Sequence, residues 1–329
     1  MFEVKRREFI SLLASAAAAW PLAARAQQPM PVIGFLDTRS SDGMTSRLAS
    51  FRQGLKEVGI AEGENVMVIY RWAEDRVDRL PDMARELAQQ ATVIVTTGGP
   101  PSAFAAKEAT TKIPIVFLVG DDPVRLGLVS SLARPGGNLT GINMLANELE
   151  AKRLQLLHQL VPQARRIVVL VNPANISNTE KTLRDIEPAA RTIGLRLQVL
   201  KANTAREIEE GFAWSEREKP DALFVGATAF LNIRRVQLVQ LAAFHHLPAT
   251  YGQREAAESG GLMSYGPSIL EGYRQLGVYA GRVLKGAKPA ELPVEQSTKF
   301  ELVINNTTAR MFGITVPPSL LAIADEVVE

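Results

Sequence analysis

One order of local signals occurs twice along this chain, and it limits the fold more than composition does. In the first half the apolar run VIGFL (32–36) precedes Leu48, Phe51, Leu55 and Val58 at helical spacing, with a stop at Gly59. Residues 66–72 alternate like a strand, and 80–87 read as a helix with Pro81 tolerated near its start. Residues 93–95 read as a strand, 102–109 as a helix and 115–118 as a strand after Pro114. The second half repeats this: strand at 167–171, helix to about 193 stopped by Gly194, strand at 195–200, helix at 208–218, strand at 222–225, helix at 234–244, then Leu247-Pro248 and a strand at 249–251. Val32 to Thr97 spans 65 residues and Ile167 to Ala227 spans 60, so the architecture repeats although the letters do not. Regular alternation of this kind specifies α/β layers with parallel strands. The expected fold is therefore two similar doubly wound parallel-sheet lobes.

The chain continues past the second repeat. Residues 260–266 read as a strand crossing back, and Leu276, Tyr279, Val283 and Leu284 mark one face of a helix. Residues 299–304 read as a last strand, and 307–312 as a short helix. With residues 138–141 read as a first crossing, three crossings make a hinge. The expected division is a first lobe of residues 27–139 plus about 264–297, and a second of 140–263 plus about 298–329. Ligands of open α/β sheets bind at the carboxyl ends of the strands, and in two such lobes those ends can face one another across a cleft.

The first 26 residues read as an export signal: a basic start at Lys5-Arg6-Arg7, an apolar alanine-rich segment from Ile10 to Ala24, and the small-residue site Ala24-Arg25-Ala26. RREFIS also resembles a twin-arginine motif, and the general secretion route stays open beside it. The signal carries four basic and two acidic residues, so the 37 basic and 35 acidic residues of the chain leave 33 of each in the mature part. That balance offers no basic patch for nucleic acid. With no cysteine, the chain has neither disulfides nor a thiolate nucleophile nor a lipid-attachment cysteine. The expected location is periplasmic, with cleavage near Ala26.

Candidate chemistry sits at the strand ends. VTTGGPPS (95–102) is a strand running into a turn and a helix. A phosphate loop needs inward N–H groups and a Gly-Lys-Ser/Thr sequence, whereas Pro100 and Pro101 have no N–H and the lysine is absent. What remains is the hydroxyls of Thr96 and Thr97, close backbone approach at Gly98 and Gly99, and a helix start that favours a carboxylate; a plain turn of the same composition is the alternative. Gly120-Asp121-Asp122-Pro123 follows another strand, where one carboxylate can meet a ligand ammonium and the other cap a helix. Asn172 and Asn175 bracket Pro173 as turn formers or amide donors. Thr228 and Phe230, then Tyr251 and Glu255, follow later strands. No metal-ligand spacing, nucleophile motif or oriented catalytic base is evident. His158 lies in a leucine-rich helix, His245-His246 close another, and Asp42 and Asp78 stand alone. No cofactor is implied.

The stretches RREFISLL, PVIGFLD, FRQGLKEVG, VIVTTGG, IPIVFLVGDDPVRLGLV, RPGGNLTGI, KRLQLLHQLVP, GGLMSYG and YRQLGVYAGRVLKGAKPAELPVEQSTKFELVIN together resemble the family of exported ABC-transporter solute-binding proteins, often described as tryptophan/tyrosine-type binding proteins. The resemblance covers nearly the whole chain. It implies a type I periplasmic-binding-protein fold, acting as a monomer that closes on a small ligand and delivers it to an inner-membrane ABC permease, without catalysis. It also implies ligand contacts near Thr38, at Thr97, Gly98 and Gly99, at Gly120, Asp121 and Asp122, near Asn172, at Thr228 and at Tyr251. The chain departs from its relatives at Pro100, at Thr228 where they commonly have an acid, and at Gln253 where they often have an aromatic; Asp37 and Glu255 are candidate substitutes for that acid. Rival expectations are a periplasmic sensor domain for a membrane receptor, or a secreted two-lobe enzyme, which requires a base in the cleft.

Overall fold

The computed structural model describes residues 30–145 and 149–329, so the expected export signal lies outside the described residues. Strands β1 (Val32–Asp37), β2 (Met67–Trp72), β3 (Val93–Thr97), β4 (Ile115–Val119) and β5 (Leu139–Asn143) alternate with α1 (Thr45–Glu57), α2 (Leu80–Gln90) and α3 (Pro100–Ala109). Helix α4 (Glu150–Leu160) opens the second repeat. Then follow β6 (Arg166–Val171), α5 (Ile176–Thr192), β7 (Arg196–Lys201), α6 (Ala205–Glu218), β8 (Ala222–Val225), α7 (Ala229–Ile233), α8 (Arg235–Phe244), β9 (Ala249–Tyr251), α9 (Arg254–Glu258) and β10 (Met263–Pro267). The remainder contains α10 (Ile269–Leu284), β11 (Glu295–Gln296), β12 (Phe300–Asn305), α11 (Asn306–Met311), α12 (Pro318–Leu321) and β13 (Glu326–Val328).

Two sheets result, ordered β2-β1-β3-β4-β5-β11 and β7-β6-β8-β9-β10-β12-β13. The pairings are parallel except β10 with β12. The central strands β1, β3, β4, β6 and β8 are continuous apolar runs buried on both faces, because helices cover both sides of each sheet. Each lobe has two apolar clusters, one per face of its sheet.

The chain changes sheet after β5, after β10 and after β11. The crossing expected at residues 138–141 is instead a strand: Leu139–Asn143 lies flat against β4 in register, with Thr140 and Asn143 as buried as their apolar neighbours. Likewise β10 pairs with β9, and the chain crosses only beyond it. Helix α10 then returns to the first lobe and packs on α1. The two helix backbones touch there, since a Cβ on Gly277 would stand 2.1 Å from the Phe51 carbonyl oxygen. In both lobes the first strand is flanked by the second and third, so the strand order reverses between β1 and β3 and between β6 and β8. Those are the switch points where open α/β sheets hold ligands.

Candidate ligand site between the lobes

A cavity of about 550 Å³ lies where the carboxyl ends of the two sheets meet. Its first-lobe wall includes Thr38, Gly98, Gly99, Gly120 and Asp121; its second-lobe wall includes Asn172, Asn175, Thr228 and Phe230. These nine positions, chosen from strand-end loops of both repeats, share one space. Thr97, Asp122, Tyr251 and Glu255 do not line it.

Thr97 is fully buried and donates its hydroxyl to Asp37, itself fully buried at the end of β1. Asp37 also accepts from Arg39: Nε and the backbone N–H each reach Oδ1 at 2.8 Å, and Nη2 reaches both Oδ2 and the Tyr273 hydroxyl. Burial alone would raise the Asp37 carboxyl, but the Arg39 charge and these hydrogen bonds together outweigh it and hold it below the ordinary carboxylate value. Gly98 completes the packing. Its φ is +83°, and a Cβ there would lie 2.2 Å from Thr38 Oγ1 and 2.6 Å from Asp37 Oδ1. The turn after β3 is thus fitted onto the β1 end, with Thr38 Oγ1 donating to the Gly98 carbonyl at 2.9 Å. Thr97→Val should lower stability by about 1–2 kcal/mol, because it removes one hydrogen bond to a buried carboxylate. Because the side chain faces away from the cavity, ligand affinity should stay within about threefold; urea unfolding and calorimetry read the two effects separately.

The other three absent positions are equally explicable. The Asp122 carboxylate accepts from the N–H groups of Val124 (2.9 Å) and Arg125 (3.3 Å), closing the turn after β4. Tyr251 is buried in the apolar cluster with Leu238, Val239 and Ala242 of α8 and Ala256 of α9, and burial raises its phenol above the ordinary value. Glu255 turns toward Arg47 of the opposite lobe, 3.0 Å away.

Several lining groups have part of their capacity already used. Asn175 caps α5 by accepting from the Asn178 N–H, and Thr228 caps α7 by accepting from the Leu231 N–H. The Asn172 side-chain oxygen accepts from the Ala174 N–H at 2.9 Å. Both asparagines therefore have their amide –NH₂ groups left for the cavity. Pro100, Pro101 and Phe104 of α3, with Ile176 of α5, supply apolar wall. Arg39, Phe104, Asn203 and Tyr273 also line the cavity and escaped the sequence reading. The signal for Arg39 was weak: one arginine two residues beyond a buried Asp at a strand end.

A second buried pair supports the opposite wall. Glu150 and Arg153 of α4 are both buried and salt-bridged. Arg153 donates to the Val225 carbonyl at 2.8 Å and lies 4.3 Å over the Phe224 ring. Glu150 accepts from the Ala227 N–H, and Ala227 lines the cavity. Burial raises the Glu150 carboxyl and lowers Arg153, in each case outweighing their mutual attraction.

The sequence profile described as ABC transporter substrate binding protein matches residues 32–328. This chain belongs to the ABC transporter substrate-binding protein family. One curated family relative is a tyrosine-binding protein of Clostridioides difficile (strain R20291), 26% identical over 264 residues that cover 79% of this chain and 74% of the relative. A Streptococcus pneumonia protein, crystallised as an ABC domain in complex with L-Trp, is 25% identical with a TM-score of 0.81 and covers 91% of this chain and 100% of its own. A conserved domain protein from Vibrio cholerae superposes over the same shares with a TM-score of 0.83 and 25% identity. This chain has the type I periplasmic-binding-protein fold, two parallel-dominated sheets joined by three crossings, as the family resemblance implies.

Proposed function

We propose that this protein is exported, binds an aromatic amino acid or a close analogue in the interlobe cavity, and passes it to a membrane ABC permease without chemical change. The observation that carries the reading is the cavity itself. Strand-end loops of both lobes close on one space of about 550 Å³, within the usual size range of small-molecule sites. Its mixture of apolar wall and a few fixed polar groups suits a flat side chain with a polar end. Pro100, Pro101, Phe104 and Phe230 offer faces to a ring. The N–H groups of the Gly98-Gly99 turn, those of Ser102 and Ala103 in the first turn of α3, and the asparagine amides suit a carboxylate. Of the two acids that line the cavity, Asp75 and Asp121, Asp121 at the end of β4 is assigned to an ammonium; Thr228, where relatives commonly have an acid, spends its hydroxyl oxygen on a helix cap. Relatives that bind tyrosine and tryptophan support the same ligand class. The histidines sit on α4 and at the end of α8, outside the lining, which favours binding over catalysis.

The test is thermal unfolding of residues 27–329 against aromatic and branched amino acids, aromatic acids, nucleosides and sugars. Ligand at a hundredfold excess over Kd adds about 2.7 kcal/mol to the native state, so L-tryptophan or L-tyrosine should raise Tm by several degrees. A response confined to nucleosides or sugars would overturn the amino-acid assignment.

A further inference from the structure

Glu255 lies outside the cavity, and its position assigns it a different task. It stands in the first turn of α9 in the second lobe, while Arg47 stands in the first turn of α1 in the first. One Arg47 nitrogen, Nη2, donates to Glu255 Oε1 at 3.0 Å and to the Gln253 side-chain oxygen at 3.1 Å. The two charged side chains are only 9% and 21% exposed. Gln253 lines the cavity and Arg47 does not. The second Glu255 oxygen is buried and has no hydrogen-bond partner among the described residues, so this carboxylate depends on Arg47 for its neutralisation.

A second cross-lobe contact has the opposite polarity. Arg234 of the second lobe stacks on Phe230 at 4.1 Å and comes within 4.0 Å of Asp75. Asp75 is held out from the first lobe by two successive non-glycine residues in the left-handed region, Glu74 (φ 56°) and Asp75 (φ 62°). Hydrogen bonds from their N–H groups to the carbonyls of Arg39 and Thr38 fix that turn. Strain of this kind persists only where the surroundings enforce it.

We infer that Arg47, clasped by Glu255 and Gln253, is an affinity-determining residue that never touches the ligand: it sets how long the two lobes stay closed. The inference rests on the cavity being the binding site. Its physical basis is that the partners belong to different lobes. Separating the lobes breaks the pair without unfolding either lobe, so the interaction acts on opening and not on the folding of either lobe. Because the charges are largely shielded from water, the loss falls mainly on the dissociation rate.

The test compares wild type with Arg47→Glu, Glu255→Arg and the double charge exchange, all in residues 27–329. L-tryptophan and L-tyrosine are the probes for stopped-flow dissociation, and small-angle scattering is run without added amino acid. Each single reversal should speed dissociation by about tenfold or more and enlarge the radius of gyration. The double exchange should bring both back toward wild type, as loss of a merely local contact would not. Glu255→Gln removes the charge at the more exposed partner, and the same direction is expected of it if a reversal at Arg47 prevents folding. The clasp is refuted if the single variants match wild type in both measurements, or if the double variant is no better than the singles. If wild type binds neither amino acid, the ligand assignment fails while scattering still decides the clasp.

Discussion

Replacing Arg153 by methionine should cost about 3–5 kcal/mol of stability, because it leaves the buried Glu150 with only the weaker attraction of Lys181. Adding Glu150→Gln should recover most of that loss. The glutamine oxygen can still accept from Ala227, and the methionine still fills the space over Phe224, so only the Val225 carbonyl loses a partner. The contrast between single and double variant is the informative result, since a buried ion pair can be dispensable as a pair and indispensable to each of its members. The pH dependence has a definite sign. Burial already raises the Glu150 carboxyl in the native state, and removing Arg153 raises it further. The native state then holds a proton that the unfolded chain releases, so the variant's stability must fall as pH rises from the ordinary carboxylate value of 4.5 through the higher native one. Urea unfolding at pH 5 and pH 8 should show a larger deficit for Arg153→Met at pH 8. An equal deficit at both would mean that Glu150 is not the group left stranded.

The parts of this fold that were legible in the sequence are those dictated by short-range periodicity. Alternation of apolar runs and helical stripes places β1 to β4 and β6 to β9 within a residue or two, and hence the strand-end loops that line the cavity. The errors have a common origin in contacts between residues distant in sequence. Residues 138–141 read as a crossing between lobes, yet 139–143 form a buried strand because β4 and β11 flank them and Thr140 donates to the Leu292 carbonyl 152 residues away. Tyr251 resembles a cleft aromatic by position, but a strand of three residues leaves its ring facing the core. Arg39 gains its role only because Tyr273 arrives 234 residues later on a helix returning from the other lobe. Glu255 reads as a ligand contact because nothing local announces that Arg47 of α1 will face it.

Replacing Asp37 by asparagine should be as damaging as losing Arg153, about 3–5 kcal/mol, but its deficit should respond to pH only in a more acid range. Here the buried charge left alone is the Arg39 guanidinium, which its partners hold even further above its ordinary range and which cannot shed its proton to escape the penalty. In wild type, the native Asp37 carboxyl is below its ordinary value of 3.8. The stability it supplies is therefore fully present above that value and disappears as pH falls through the lower native one. The gap between wild type and Asp37→Asn should accordingly be constant from pH 8 to pH 5 and narrow only in more acid solution, whereas the Arg153→Met gap should already be narrower at pH 5 than at pH 8. Function should follow the same geometry. Asp37 anchors Arg39 and receives Thr97, so its loss frees the Thr38-Arg39 wall and the Gly98 turn seated on it. A substrate-binding protein whose first-lobe wall is no longer fixed must order it on binding, and that ordering lowers affinity. Ligand titration of Asp37→Asn at pH 7, under conditions where it is still folded, should show weaker binding than Thr97→Val, which removes one hydrogen bond and leaves the Asp37–Arg39 pair in place. If both variants bound as wild type does, the network would be a folding device alone and the cavity wall would owe its shape to the backbone.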